Sequence, residues 1–147
     1  MEDRRRTVAA ALAAAVLISA GGCGGGSGGG QRVPDSDAAR AAVLGFAKAF
    51  GSGDAKGACD LLTGDARAAF LRRVQVIVRT TDCAVAMTKV HDEAGDNVAQ
   101  AFTTATAGDV RLHGGAATVT LTASGHSTAV GLAKQGGSWK LTGVPGI

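Results

Sequence analysis

The chain has 147 residues, and its fifteen basic and twelve acidic side chains leave a formal net charge of only +3. These charges are dispersed along the sequence, and the aromatic residues are limited to four phenylalanines and one tryptophan. The sequence therefore lacks the basic stripes and stacking surfaces typical of nucleic-acid-binding proteins, and we expect no nucleic-acid partner.

Residues 1–22 are predicted to form a signal peptide. Three arginines, Arg4 to Arg6, precede an uncharged run from Thr7 to Ala20. A helix of about fourteen residues rises about 21 Å, which is less than the roughly 30 Å of a bilayer's hydrocarbon core. A run of this length after a basic start is typical of export signals, which are removed from the mature protein.

The apolar run ends in small residues directly before a cysteine. Ala20, Gly21 and Gly22 precede Cys23, and a glycine-rich stretch follows it. This pattern resembles a lipobox, the site at which bacterial lipoproteins receive a diacylglyceryl group, with acyl chains such as palmitate, on the cysteine sulfur and are cut just before it. The resemblance implies a lipid on Cys23 that anchors the protein to the extracytoplasmic face of the cell membrane, with residues 23–33 as a flexible tether. Ala20 stands where most lipoboxes carry leucine, so cleavage by the ordinary signal peptidase is the alternative.

Three cysteines in an exported chain leave one thiol to explain. If Cys23 is acylated, Cys59 and Cys83 remain as a pair, and outside the cytoplasm they can form a disulfide. Closing a loop of this length would stabilise the fold by about 3 kcal/mol. Two buried free thiols are the alternative. No Cys-x-x-Cys spacing occurs, so we expect no structural zinc site, no metal and no other cofactor.

Helices are predicted for the first part of a single domain at residues 34–147. The side chains of Asp35, Ser36 and Asp37 are expected to cap the first helix and to place negative charge at its positive end. This helix is expected to end at Gly51-Ser52-Gly53. Apolar residues three and four apart mark its buried face: Val43, Phe46, Ala47 and Phe50. Asp54 is expected to cap a short second helix that carries Cys59 and reaches Leu62.

The third helix is expected to begin with Thr63 or Asp65 as its cap. One face is predicted to be buried through Phe70, Val74 and Ile77. The outer face would carry Arg67, Arg72 and Arg73. Such a face is usually solvated, and contact with anionic lipid headgroups is the alternative.

The fourth helix is predicted from Cys83 to about Glu93, with Cys83, Met87 and Val90 on one side. A disulfide from Cys83 to Cys59 would then join two helices. Residues 100–107 extend either this helix or the following sheet, and we expect helix that gives way to loop.

The hydrophobic period changes in the last third of the chain. Ala117, Val119 and Leu121 alternate with threonines, which predicts a half-buried strand. A shorter strand is expected at residues 110–113, and two more at 127–134 and 138–144 are joined by a glycine-bearing hairpin loop. Helices followed by an antiparallel meander predict an α+β domain, with N-terminal helices packed on a curved antiparallel sheet.

This order of elements resembles the NTF2-like superfamily, and in particular its small actinobacterial lipoproteins. The features that carry the resemblance are the helix with AVLGFAKAF, the segment SGDAKGACDLL, the Asp82-Cys83 helix start, the strand AATVTLT and the final GSWKLTGV. The resemblance implies a cone of helices on a bent sheet. It also implies a possible homodimer through the sheet, for which the face from Thr118 to Thr122 is the candidate surface.

The resemblance leaves the function open, because this fold is shared by enzymes and binding proteins. Members similar to ketosteroid isomerase or scytalone dehydratase depend on tyrosine hydroxyls, and this chain has no tyrosine. We therefore expect no catalytic residues, but a non-catalytic module that binds an envelope protein or an apolar small molecule. The alternative is a small isomerase-like or dehydratase-like enzyme that draws on Asp82, His91, His113 and threonines.

Each histidine and the tryptophan also have a structural explanation. His91 is expected at a solvated helix end, where the helix dipole favours a cation. His113 and His126 are expected in surface turns. Trp139 is expected to anchor the core rather than to line a ligand site.

Overall fold

The computed structural model describes residues 33–147. The predicted signal peptide at residues 1–22, the predicted lipid site at Cys23 and the tether up to residue 32 lie outside this range. The described residues fold into helices α1 to α4 followed by strands β1 to β4. Their bounds are α1 Asp35–Gly51, α2 Ala55–Asp60, α3 Gly64–Val74, α4 Cys83–Thr103, β1 Thr106–His113, β2 Ala116–Ala123, β3 His126–Gln135 and β4 Ser138–Leu141.

The strands form an open antiparallel sheet in the order β1-β2-β3-β4. Each strand pairs with the next along the chain, because glycine-bearing turns reverse the direction between them. Helix α1 contacts β1, β2 and β4, so it packs across one face of this sheet. Helices followed by an antiparallel meander confirm the α+β class that the sequence predicts.

Strand β2 shows how the sheet divides into a buried and an outer face. Ala117, Val119 and Leu121 are at most 4% exposed, whereas the threonines between them are half-buried on the opposite face. Cross-strand pairing continues the buried face from Ala117 through Leu132 to Leu141. The period-two pattern therefore gives the correct face of this strand.

Side-chain caps fix the starts of three helices. Asp54, Thr63 and Asp82 each accept a hydrogen bond from the backbone amide three residues on, at 2.9, 3.1 and 2.8 Å. The predicted cap Asp54 is confirmed, and of the two candidates for α3 the cap is Thr63. These caps satisfy amides that have no partner within the helix.

The prediction that Asp35, Ser36 and Asp37 cap α1 is wrong. The helix begins at Asp35 itself, after Pro34, and has no side-chain cap hydrogen bond. The Pro34 carbonyl already accepts from two amides of the first turn, so the start is made by the backbone and a preset proline φ. Asp35 and Asp37 lie in the first turn, where negative charge is favoured by the helix dipole, so the predicted charge at this helix end is confirmed.

The predicted burial of Ile77 is also wrong. Helix α3 ends at Val74, and the chain continues in a turn in which the Ile77 and Val78 amides both donate to the Val74 carbonyl. Val78 is 3% exposed and Ile77 is 76% exposed. The buried positions therefore follow the four-residue spacing Phe70, Val74, Val78, and Ile77 points away from that face.

Helix α4 extends beyond its predicted end near Glu93. It continues to Thr103 across a kink at Gly95, whose φ of +77° suits a residue without a side chain. Strand β1 then begins at Thr106. Residues 100–107 are thus divided between helix and strand, with only a short connection between them.

The junction of α2 and α3 is fixed to the sheet edge. Leu62 forms a parallel bridge with Leu141 of β4, supported by hydrogen bonds from the Leu141 amide to Leu61 and from the Thr63 amide to Leu141. Leu62 is 1% exposed. This contact covers part of the β4 edge and holds the short helix α2 in place.

Candidate functional site

An apolar cavity of about 140 Å³ lies between α1, α4 and the segment 144–147. It is lined by Phe46 and Phe50 of α1, by Val90, Ala94, Val98 and Phe102 of α4, and by Val144, Pro145, Gly146 and Ile147.

Helical spacing brings these side chains to one place. Phe46 and Phe50 are four residues apart on the buried face of α1. The α4 residues recur at intervals of four through the Gly95 kink, from Val90 to Phe102. The two helices pack against each other, so both apolar faces border the cavity.

The aromatic wall is built around Phe50. Its ring lies nearly parallel to that of Phe46, with centroids 6.3 Å apart. The ring of Phe102 meets Phe50 edge to face at 4.9 Å and 66°. Such pairs are favourable beyond their burial, so this wall is expected to be well ordered.

A second cleft of about 340 Å³ adjoins the cavity and shares Val90, Ala94 and Ile147 with it. Its other walls include Val74, Ile77 and Val78, and its charged side chains are Lys89 and Glu93. The apolar cavity therefore adjoins a surface cleft that has charged groups on α4.

The side-chain lining of the cavity is entirely apolar. Its lining side chains can neither titrate nor form hydrogen bonds. A molecule held there would be bound by burial of apolar surface, worth about 25 cal/mol for each Å² removed from water. General acid–base catalysis would require a titratable group within reach of the ligand.

His91 is not among the cavity-lining residues. Its ring meets Phe50 edge-on at 5.6 Å and 74°, and 24% of its side chain is exposed. Its Nε2 is buried without a hydrogen-bond partner among the described residues. The expected solvated helix end is therefore wrong, because α4 continues past His91 and the ring packs against α1.

The other polar candidates are dispersed. His113 and His126 are exposed beside hairpin turns, as the sequence predicts, and Asp82 caps α4. Trp139 is 4% exposed in the core, with the Lys134 Nζ 5.6 Å from its ring centroid. None of these four side chains lines the apolar cavity.

Cys59 and Cys83 form the predicted disulfide, with their Cα atoms 6.1 Å apart. The alternative of two free thiols is therefore wrong. The bond joins the end of α2 to the first residue of α4. It fixes the start of the helix that supplies one wall of the cavity.

Within residues 33–147, no cluster of three or more histidine, cysteine, aspartate or glutamate side chains is placed to hold a metal ion. The helices of the same range are too short or too polar to cross a membrane.

Val98 and Phe102 are cavity residues that the sequence prediction missed. The sequence prediction ends the fourth helix near Glu93, because the hydrophobic period changes from Asp96 onward. The interval of four from Val90 through Ala94 and Val98 to Phe102 is the sequence feature that identifies them.

No family model, no curated protein and no solved structure matches the chain. The function is therefore inferred from the residues and the cavity alone.

Proposed function

We propose that the chain is a bacterial cell-envelope lipoprotein, anchored by a lipid on Cys23, whose domain binds an apolar small molecule without catalysing a reaction. The observation that carries the binding function is the cavity of about 140 Å³ with its entirely apolar side-chain lining.

The anchor is supported by the order of features at the N-terminal end. A basic start, an uncharged run and the small residues before Cys23 follow one another as in lipoprotein precursors. The disulfide between Cys59 and Cys83 accounts for the other two cysteines. Cys23 is then the one thiol that needs another role, and acylation supplies it.

The proposed fold type is an NTF2-like cone. Its support is the packing of α1 across one face of the antiparallel sheet, with an apolar cavity between α1 and α4. In a cone of this kind the cavity is the natural position for a ligand, because ligand pockets are concave and mostly apolar.

The size and lining of the cavity indicate the class of ligand. A dry apolar cavity of about 150 Å³ engineered in another protein binds benzene. The cavity of this chain has a similar volume and three phenylalanine rings in its wall. A small aromatic or branched aliphatic molecule fits it, and the adjoining cleft leaves room for a longer apolar ligand.

The alternative of an isomerase-like or dehydratase-like enzyme has less support. It requires polar groups that converge on a pocket. Among the described residues, Asp82 is used as a helix cap, His91 packs on Phe50 and His113 lies at an exposed turn. This dispersal counts against a shared catalytic centre.

Binding of benzene tests the proposed site. We expect saturating benzene to raise the melting temperature of the full chain and to shift the NMR signals of the Val90, Val98 and Ile147 methyl groups. The variant Ala94→Leu adds bulk to the cavity wall and should abolish both effects. Ala41→Leu is the matched control, since Ala41 is exposed on α1 and should leave benzene binding unchanged.

Two results would contradict the binding site. One is the absence of any benzene-induced shift in the wild-type protein. The other is a shift of the same size in Ala94→Leu, which would place the bound benzene elsewhere on the molecule.

A further inference from the structure

The turn after α3 exposes two large aliphatic side chains. Val76 is 86% exposed and Ile77 is 76% exposed, the highest values among the large apolar side chains of the described residues. Burying such side chains would be favourable, yet neighbouring elements of the domain leave them in water.

Three arginines surround this pair. Arg72 and Arg73 lie four residues before Val76 and Ile77, and Arg79 follows shortly after. Residues four apart are neighbours where the chain is helical. Helix α3 extends through Val74, and one further helical hydrogen bond runs from the Val78 amide to the Val74 carbonyl. We call residues 72–79 the arginine turn.

The arginine turn carries positive charge that the domain leaves uncompensated. All three guanidinium groups belong to exposed residues, and none forms an ion pair within residues 33–147. No acidic residue occurs between Asp65 and Asp82, and Asp82 caps α4. Arg67 differs from these three, because Asp60 lies near it: the pKa of that carboxyl group is lowered mainly by the hydrogen bond from Lys56 and to a smaller extent by the charge of Arg67.

The backbone of the arginine turn has a defined conformation. Hydrogen bonds of 2.9 and 2.7 Å run from the Ile77 and Val78 amides to the Val74 carbonyl, and the Val78 side chain is buried. Val76 and Ile77 are thus presented outward from a fixed point in the core.

We propose that the arginine turn docks the domain onto an anionic phospholipid membrane, with Val76 and Ile77 at the boundary of headgroups and acyl chains and the three arginines on lipid phosphates. Guanidinium groups are suited to phosphate because they donate paired hydrogen bonds and keep their charge. Exposed aliphatic side chains beside basic residues are typical of segments that lie in the membrane interface.

This inference rests on the proposed anchor for its geometry. A tether of about ten residues has a root-mean-square reach of roughly 17 Å, so it would hold the domain at a high effective concentration near the bilayer. A weak interfacial contact is then sufficient to orient the domain. The adjoining cleft, which Ile77 borders, would face the lipid in this orientation.

Amide hydrogen exchange on the lipidated full chain tests the docking. The protein is reconstituted in vesicles of phosphatidylcholine alone and in vesicles that also contain phosphatidylglycerol. We expect exchange in residues 75–79 to be slower by about tenfold with phosphatidylglycerol, and high salt to remove this difference. Two variants should abolish the protection. One is the double variant Val76→Ser, Ile77→Ser, and the other is the triple variant Arg72→Gln, Arg73→Gln, Arg79→Gln.

Leu112→Ser is the matched control, because Leu112 is an exposed aliphatic residue on β1 beside Arg111. It should retain the protection, and equal melting temperatures would show that all variants are folded. Exchange that is equally fast on both vesicles overturns the proposal and would favour a protein as the partner of the arginine turn. Equal protection on both vesicles overturns it as well.

The proposed lipid anchor and the proposed membrane contact of the arginine turn can be refuted independently of each other. A native protein without an acyl group refutes the anchor, while the same unacylated chain still tests the turn through co-sedimentation with phosphatidylglycerol vesicles.

Discussion

At the scale of single residues, His91 has surroundings that its sequence neighbours do not reveal. Asp92 and Glu93 follow it, which suggests a polar helix end. In the structure its ring lies edge-on to Phe50, and most of the side chain is buried. Its role is therefore to support the aromatic wall from outside the cavity.

We predict that His91→Ala lowers the free energy of unfolding by about 1 to 2 kcal/mol, because the contact with Phe50 is lost. His113→Ala and His126→Ala, at exposed turns, should change it by less than about 0.5 kcal/mol. Urea unfolding followed by Trp139 fluorescence measures all three. Equal effects of the three substitutions would contradict the packing of His91.

The exposed pair of Lys56 and Asp60 gives a prediction for pH. The Lys56 Nζ donates a hydrogen bond of 2.6 Å to Asp60. This bond lowers the pKa of Asp60 from its ordinary 3.8 and raises the pKa of Lys56 from 10.5. The Asp60 contribution to stability is therefore present above pH 3.8 and is lost as the pH falls through the lowered folded pKa. The Lys56 contribution is present below pH 10.5 and is lost as the pH rises through the raised pKa.

We predict that the stability difference between wild type and Lys56→Gln is constant from about pH 5 to 9 and shrinks in more acidic solution. Denaturant midpoints across this range measure it. Lys48→Gln, which changes an exposed lysine of α1, should give no such convergence in acid. A difference that grows as the pH falls would contradict the ion pair.

At the scale of elements, the contact of α1 with α4 depends on Gly51. A Cβ atom at this position would lie 2.6 Å from the Ala99 carbonyl oxygen and would also collide with Thr103. Both partners are in helix α4, whose backbone cannot move away without disturbing the cavity wall. The two helices therefore approach closely only because this residue has no side chain.

We predict that Gly51→Ala destabilises the domain by about 2 kcal/mol, since it overpacks this crossing. Gly64→Ala is the control: Gly64 begins α3 with open space around it, and alanine there should be neutral or stabilising by up to about 1 kcal/mol. Thermal unfolding compares the two. Similar losses in both variants would contradict the close approach.

The disulfide between α2 and α4 gives the second prediction at this scale. Joint replacement of Cys59 and Cys83 by alanine should cost about 3 kcal/mol. For a domain of this size, that loss lowers the melting temperature by at least about 10 °C. A reductant should have the same effect on the wild type and none on the variant, and an unchanged melting temperature would contradict the bond's role.

The elements of this fold could be predicted from the sequence where a regular pattern and a cap coincide. The period-four face of α1, the alternation of β2 and the caps at Asp54 and Thr63 are of this kind. Each of these features depends on residues close together in sequence, and tertiary packing leaves it unchanged.

The features that could not be predicted depend on partners distant in sequence or on breaks in a pattern. Helix α4 continues through Gly95 because packing against α1 favours it over the local interruption. Ile77 and Val78 are both β-branched and apolar, so only the course of the turn decides which is buried. The sequence does not predict the cavity, because Val98 lies beyond the predicted end of the fourth helix and the facing residues of α1 and 144–147 are distant in sequence.

At the scale of the whole molecule, two membrane contacts are proposed at different points of the chain. A lipid on Cys23 would attach the protein, and the arginine turn would orient the domain. The cavity lined by Phe46, Phe50 and Phe102 adjoins the cleft bordered by Ile77, with which it shares Val90, Ala94 and Ile147. With the arginine turn on the membrane as proposed, this cleft would face the lipid.

The intact mass of the protein from its native membrane fraction shows whether Cys23 is acylated. We predict a chain that begins at Cys23, carries acyl groups, and gains roughly two daltons when the disulfide is reduced. In Cys23→Ala the acyl mass should be absent and the gain on reduction should remain. A wild-type chain recovered in soluble form without acyl mass would contradict the lipoprotein function.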